Sequence, residues 1–284
     1  MRLLSFERDD GNAAYGVLRE GDELVDLTSR IENAPTLKRL LGRPGWVELA
    51  REQAHAKADH RLADVRLLPP IPDPGVIACV GHNYEEHRIE TQRDPTEHPS
   101  IFFRHAESLV GHDRPLLRPV ESSQLDYEGE LAIVIGRAGR RIRPEAAWEY
   151  VAGVSCFNDG SVRDWQHHTR QFGPGKNFAS SGGFGPYLVT LDELPSDRIV
   201  QLETRVNGER VQRARTDQMI FSIPDVLAYL STFLTLQPGD VIATGTPGGV
   251  GVKRQPPLWL KPGDFVDVEI SGVGRLRNPV AQEA

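Results

Sequence analysis

Residues 125–136 read LDYEGELAIVIG, and the run LAIVIG predicts a buried strand. Directly against it stands Glu128-Gly129-Glu130. Side chains on a strand alternate faces with a period of two. Glu128, Glu130, Ala132 and Val134 therefore share one face, and Tyr127, Leu131, Ile133 and Ile135 share the other. The two carboxylates then stand roughly 7 Å apart, where apolar residues normally go. Like charges that close repel, and burial raises the cost of each. The pattern demands positive charge opposite them.

A third carboxylate lies downstream in CFNDGSVRDWQ (156–166), where Asp159 follows an apolar run and precedes a turn or helix start. Glu128, Glu130 and Asp159 together would form an all-oxygen set suited to Mg²⁺ or Mn²⁺, with Ca²⁺ also within its chemistry. The same spacing also fits two solvent-facing glutamates on an edge strand and an Asp159 that caps a turn. Upstream, GHNYEEHRIE (81–90) places His87 and Glu90 at i, i+3 if the segment is helical. A carboxylate beside an imidazole orients it and raises its basicity, as a general base for water requires. An ordinary surface pair has the same spacing. The adjacent His167 and His168 diverge on either a helix or a strand, so no two-histidine zinc site is expected there.

Composition narrows the function classes. The 284 residues carry a formal net charge of −7, which argues against nucleic acid as a partner. The basic stretch GRAGRRIRPE (136–145) follows a strand and reads as a solvated turn. No stretch approaches the roughly 18 apolar residues of a membrane span, and the N-terminus lacks a signal-peptide core. A cytoplasmic protein with no membrane partner is expected. Cys79 and Cys156, each inside an apolar run, read as core residues.

The first thirty residues alternate as a three-strand meander, followed by a helical pattern from about Pro35 into the fifties. The four prolines of LLPPIPDPG (67–75) suit an extended linker. A boundary is placed there, giving a small N-terminal α+β domain over 1–70 and a catalytic domain over 71–284. Short strands with Gly/Pro turns dominate the second part: 75–81, 131–136, 187–190, 202–208, 240–245 and 265–272. Its clearest helix is 222–236, with Ser222 as N-cap and a stripe of Ile223, Val226, Leu227, Leu230 and Leu234. The fold class is α+β, mostly β. GTPGGVGVK (245–253) and SGGFGPY (181–187) match neither nucleotide-binding glycine pattern.

Several motifs occur in order along the chain: V-G-x-N-Y-x-x-H-x-x-E, D-Y-E-x-E-L-A-x-V-I-G, N-D-x-S-x-R-D-x-Q, K-x-F, a G-P-Y segment and T-G-T-P-x-G-V-G. Together they resemble the fumarylacetoacetate hydrolase family, from about Gly75 to Val280. The resemblance implies a mixed β-sandwich or β-roll and a homodimer. It implies Glu128, Glu130 and Asp159 as Mg²⁺ or Mn²⁺ ligands, and His87 with Glu90 as a water-activating dyad. Lys176 is implied as a catalytic residue, and Arg163, Gln166, Thr246 and Tyr84 as substrate contacts. The implied substrate is a small oxo acid.

These roles predict cleavage of a carbon–carbon bond in a 2,4-dioxo acid of the acylpyruvate type. The metal stabilises the departing enolate while His87 activates water. Oxaloacetate decarboxylation or tautomerisation, and isomerisation of a hydroxyheptadienedioate, would use the same site. A non-catalytic oxo-acid binding protein is the more distant alternative. His82 and the stretch NFASSGGFGP (177–186) depart from the family pattern. Of Trp165, Phe172 and Phe178, at least two are expected in core packing rather than along the pocket.

Overall fold

The computed structural model describes all 284 residues. LAIVI (131–135) lies within the strand Gly129–Ile135, every residue of which is buried, and Gly136 follows its end. Its alternation separates two cores. Leu131, Ile133 and Ile135 pack into one, and Ala132 and Val134 into the other. This strand is central because both of its edges are paired. Val151–Asn158 lies antiparallel on one side and Val241–Ala243 antiparallel on the other.

Outward from that centre runs a twelve-stranded sheet. Beyond Val241–Ala243 come Ile77–Gly81, in parallel, and Ser100–Arg104. Beyond Val151–Asn158 come Gly182–Thr190 and then the N-terminal meander of Arg2–Glu7, Ala13–Leu18 and Glu23–Asp26. A second, five-stranded sheet orders Glu209–Arg215, Gln201–Val206, Phe265–Ile270, Gly274–Gln282 and Leu116–Arg118. The two sheets pack face to face, since Leu131, Ile133 and Cys156 share a core with Leu202, Val268 and Leu276. The helix Ile223–Phe233 closes that core, with Ser222 Oγ accepting from the Asp225 N–H at 3.3 Å.

Residues 1–70 add their strands to the main sheet rather than building one of their own. Arg2 pairs with Val189, and Leu3, Leu37 and Leu40 share a core with Val134 and Val241. The helical stretch after Pro35 is two short helices, Leu37–Leu41 and Trp46–Gln53. The turn between them holds Gly42, Pro44 and Gly45, and Gly45 has a φ of 69°. No helix is long and apolar enough to cross a membrane.

Gly129 explains the middle letter of Glu-Gly-Glu. A Cβ there would lie 1.9 Å from Thr204 Oγ1 in the facing sheet. Thr204 is fully buried, and its Cβ lies 3.2 Å from the same point, so turning the hydroxyl away does not clear the contact. The substitution Gly129→Ala is therefore expected to cost about 1–3 kcal/mol. Thermal unfolding should show a melting point several degrees lower.

Candidate metal and acid–base site

Strand register brings the three carboxylates together. Gly129 pairs with Asn158 and Glu130 with Phe157. One residue further out, Asp159 therefore lies across from Glu128, whose carbonyl accepts from the Asp159 N–H at 2.8 Å. Asn158 Oδ1 accepts from the Glu128 N–H at 2.9 Å and fixes the bend. One ligand oxygen from each of Glu128, Glu130 and Asp159 lies within 4.8 Å of the others, and all three residues are buried.

The demanded positive charge is present. Lys176 Nζ donates to Glu128 Oε2 at 2.6 Å and to Asp159 Oδ2 at 2.5 Å. Arg163 Nη2 lies 2.7 Å from Glu128 Oε1. Burial alone would push the Glu128 carboxyl up, but Lys176 and Arg163 outweigh it and hold the group below the ordinary range.

Two further partners escape the sequence reading. Arg104, 4% exposed, donates through Nη1 to Asp159 Oδ1 at 2.6 Å and to the Gly160 carbonyl at 2.9 Å. Asp126 accepts from Arg163 Nε at 2.8 Å and from the N–H groups of Gly251 and Val252 at 2.8 and 2.9 Å. It thus ties the glycine-rich loop to the site. Asp126 carried a usable signal, since it falls on the same two-residue alternation as Glu128 and Glu130. Arg104 carried only its place after the apolar pair Phe102-Phe103.

Glu130 differs from its neighbours. It is 2% exposed, and its one protein donor is the Gly245 N–H at 2.8 Å. Gly245 takes a φ of 105° to aim that N–H, and a Cβ on it would meet the Cβ of Asn83 at 2.6 Å. Burial, reinforced by Asp159 and Glu128, pushes the Glu130 carboxyl well above the ordinary range. Four buried carboxylates (Asp126, Glu128, Glu130 and Asp159) thus face three buried cations, Arg104, Arg163 and Lys176. A divalent cation offsets that excess, and the all-oxygen donor set matches hard ions. The cluster is suited to a divalent metal.

His87 and Glu90 are brought together by the short helix Glu85–Glu90, with 2.7 Å between His87 Nδ1 and Glu90 Oε1. The Gly249 N–H holds the other Glu90 oxygen at 2.9 Å. Asn83 anchors the segment before the helix by donating to the carbonyls of Phe221 and Thr244 at 3.0 and 2.8 Å. The His82 ring stacks on His87, with centroids 5.2 Å apart and 13° between planes. Burial, then His87, lowers the His82 pKa to about 4. A pocket of about 100 Å³ joins His87 to Glu128, Gln166, Lys176 and Phe172.

The expected substrate contacts divide. Gln166 lines the pocket, and its Oε1 accepts from Arg163 Nη1 at 2.9 Å. Arg163 also lines it, but its guanidinium is engaged by Asp126, Glu128 and Gln166 rather than left free for a substrate carboxylate. Thr246 is committed to protein partners, donating to the Gly129 carbonyl at 3.0 Å and accepting from Gln212 Nε2 at 2.8 Å. Tyr84 is buried, with a hydroxyl that finds no protein partner, and it does not line the pocket. Of the three aromatics, Phe172 lines the pocket, while Trp165 and Phe178 pack edge to face on each other, with centroids 5.2 Å apart, beside a core.

Removing Arg104 should unseat Asp159. Arg104→Met leaves buried Asp159 with only one of its two cations, Lys176, and deleting one partner of a buried pair costs about 3–5 kcal/mol. Denaturant unfolding is expected to show a drop of that size.

Comparison with known proteins is consistent with this geometry. A family model for the fumarylacetoacetate (FAA) hydrolase C-terminal region matches residues 76–281. A mitochondrial oxaloacetate tautomerase of Xenopus laevis is 39% identical over 99% of this chain and 90% of its own length. An oxaloacetate tautomerase of Bacillus subtilis is 42% identical over 78% of this chain and 75% of its own. Among solved structures, a maleylpyruvate hydrolase from Sphingobium, in complex with manganese(II) and pyruvate, superposes with a TM-score of 0.82. It is 30% identical, and the match covers the whole of both chains.

Proposed function

Because the chain belongs to the fumarylacetoacetate hydrolase family, we propose that it interconverts the enol and keto forms of a small 2-oxo acid, oxaloacetate, at the Glu128–Glu130–Asp159 centre. The observation that carries this reading is His87. Its Nδ1 is tied to Glu90 at 2.7 Å, while its ring lines the same pocket as Glu128 and Lys176. With Glu90 accepting from Nδ1–H, Nε2 keeps its lone pair, the form a general base needs. Nε2 takes the proton of the enol hydroxyl and returns one to C3. The protons balance, and no carbon–carbon bond breaks. Glu90 stabilises the imidazolium between the two transfers.

A divalent cation held by the three carboxylates, Mg²⁺ or Mn²⁺, supplies Lewis-acid stabilisation of the developing enolate charge. Lys176 and Arg163 keep Glu128 ionised and so preserve the ligand set. Gln166, fixed through its Oε1 by Arg163, orients the acid with its amide N–H groups.

Sequence alone places hydrolysis first, because a His–Glu dyad suits water activation. Carrying a proton between oxygen and carbon makes the same demand on the dyad, and the activity named for the two relatives reverses the order. Hydrolysis of an acylpyruvate-type acid stands as a second reading, favoured by the likeness to the maleylpyruvate hydrolase. Following ultraviolet loss of the oxaloacetate enol with Mg²⁺, Mn²⁺ or EDTA, with pyruvate assayed at the end, separates the two. The proposal expects metal-dependent enol loss with no pyruvate beyond the enzyme-free rate. Pyruvate from acylpyruvates, without faster enol loss from oxaloacetate, would move the function to hydrolysis.

A further inference from the structure

The pocket that joins His87 to the carboxylate cluster is strongly cationic in a chain of net charge −7. Its lining holds Arg93, Arg163, Lys176 and Lys253, against one carboxylate, Glu128. Arg163 and Lys176 are buried and paired with that carboxylate. Arg93 and Lys253 are different. Both are exposed, and neither side chain makes an ion pair or a hydrogen bond within the protein. They come from distant segments, Arg93 from the loop after the helix Glu85–Glu90 and Lys253 from the end of the glycine-rich loop.

The backbone around each is fixed. Arg88 Nη1 donates to the Arg93 carbonyl at 2.5 Å, and the Arg93 N–H donates back to the Arg88 carbonyl at 3.0 Å. Asp126 holds the Gly251 and Val252 N–H groups immediately before Lys253. His167, on the same lining, has its pKa lowered by partial burial first and then by Arg163, Arg93 and Lys253. These cations therefore act on one region. An outer cavity of about 360 Å³ shares Gly81, His82, Arg93 and Phe172 with the inner one, so Arg93 stands at the passage between them.

We infer that Arg93 and Lys253 form a subsite for the distal carboxylate of the substrate, making the enzyme selective for dicarboxylic over monocarboxylic 2-oxo acids. The inference rests on the reading that an oxo-acid end enters the Glu128–Glu130–Asp159 centre. With that end inside, the far end of a short acid faces the mouth. A second carboxylate there meets two cations that have no other partner. A neutral end gains nothing from them. Charge-assisted contacts at a partly exposed site are worth about tenfold for the pair, and salt screens them.

The test compares oxaloacetate with its 4-methyl ester, which keeps the 2-oxo acid and loses the distal charge. Turnover and calorimetric binding are both measured with the Mn²⁺-loaded full-length protein, wild type and the Arg93→Ala/Lys253→Ala double variant. The wild type is expected to prefer the diacid by about tenfold, through KM more than kcat, with the preference shrinking as salt rises. In the double variant the ratio should fall close to one. An unchanged ratio, or no preference in the wild type, overturns the subsite. The binding arm keeps the two readings apart. If neither compound turns over but the binding preference is present and collapses in the variant, tautomerisation fails and the subsite stands.

Discussion

Replacing His87 with asparagine is expected to slow enol-to-keto conversion by about 10²–10⁴-fold, the usual worth of a positioned acid–base group. Asparagine keeps a polar side chain of similar reach but carries no proton between oxygen and carbon. Because His87 is not among the carboxylate ligands, Mn²⁺ affinity should change little. The loss should fall on kcat, with KM nearly unmoved. Glu90→Gln should give the same pattern in weaker form, about 10–100-fold, since Glu90 acts through the imidazole. Steady-state kinetics and a Mn²⁺ titration on the same preparations check both. A His87→Asn enzyme that keeps its rate would remove the dyad from the chemistry.

Changing Glu130 to glutamine is expected to invert the order of stability between two conditions. In EDTA at neutral pH, Glu130 costs the wild type either a buried charge beside two carboxylates or the uptake of a proton, because burial, Asp159 and Glu128 push its carboxyl well above the ordinary range. Glutamine is neutral at nearly constant volume and carries neither cost, so the variant should melt higher. With saturating Mn²⁺ the wild type gains the binding free energy of the ion, and the order reverses. Mn²⁺ affinity should fall by more than about 100-fold, beyond the usual effect of losing a residue that only supports a ligand, and enol turnover should fall with it. Parallel thermal scans read the crossing directly. A variant that melts lower in both conditions would mean that Glu130 is structural rather than a stability cost accepted for metal binding.

The two groups in these predictions were also the most legible in the sequence. Glu128 and Glu130 stand out because a two-residue alternation on an apolar strand has no other use for them. His87 and Glu90 share a helix face by spacing alone. Both are local patterns, and local geometry is what a sequence displays. Arg104, Asp126 and the commitment of Thr246 depend instead on which strands pair. Asp159 meets Glu128 through the Gly129–Asn158 register, and Arg104 reaches Asp159 from a strand four places along the sheet. The same limit applies to the fold. Gly274–Gln282 holds a proline, and Glu209–Arg215 is mostly charged or polar. Neither resembles a strand until its neighbours supply the pairing. Residues 1–70 likewise read as separate because four prolines cluster at their end, between 69 and 74, whereas their meander continues the main sheet through Arg2 and Val189.

The central claim is that the Glu128–Glu130–Asp159 cluster holds the divalent cation on which turnover depends. Its most direct test is to titrate Mn²⁺ into metal-stripped protein while following bound metal and the rate of oxaloacetate enol loss together. Rate should rise in proportion to bound Mn²⁺ and level off at one ion per chain, and Glu130→Gln should flatten both curves. Full activity in protein that elemental analysis shows to be free of metal would contradict the account, as would binding at the same stoichiometry and affinity in Glu130→Gln.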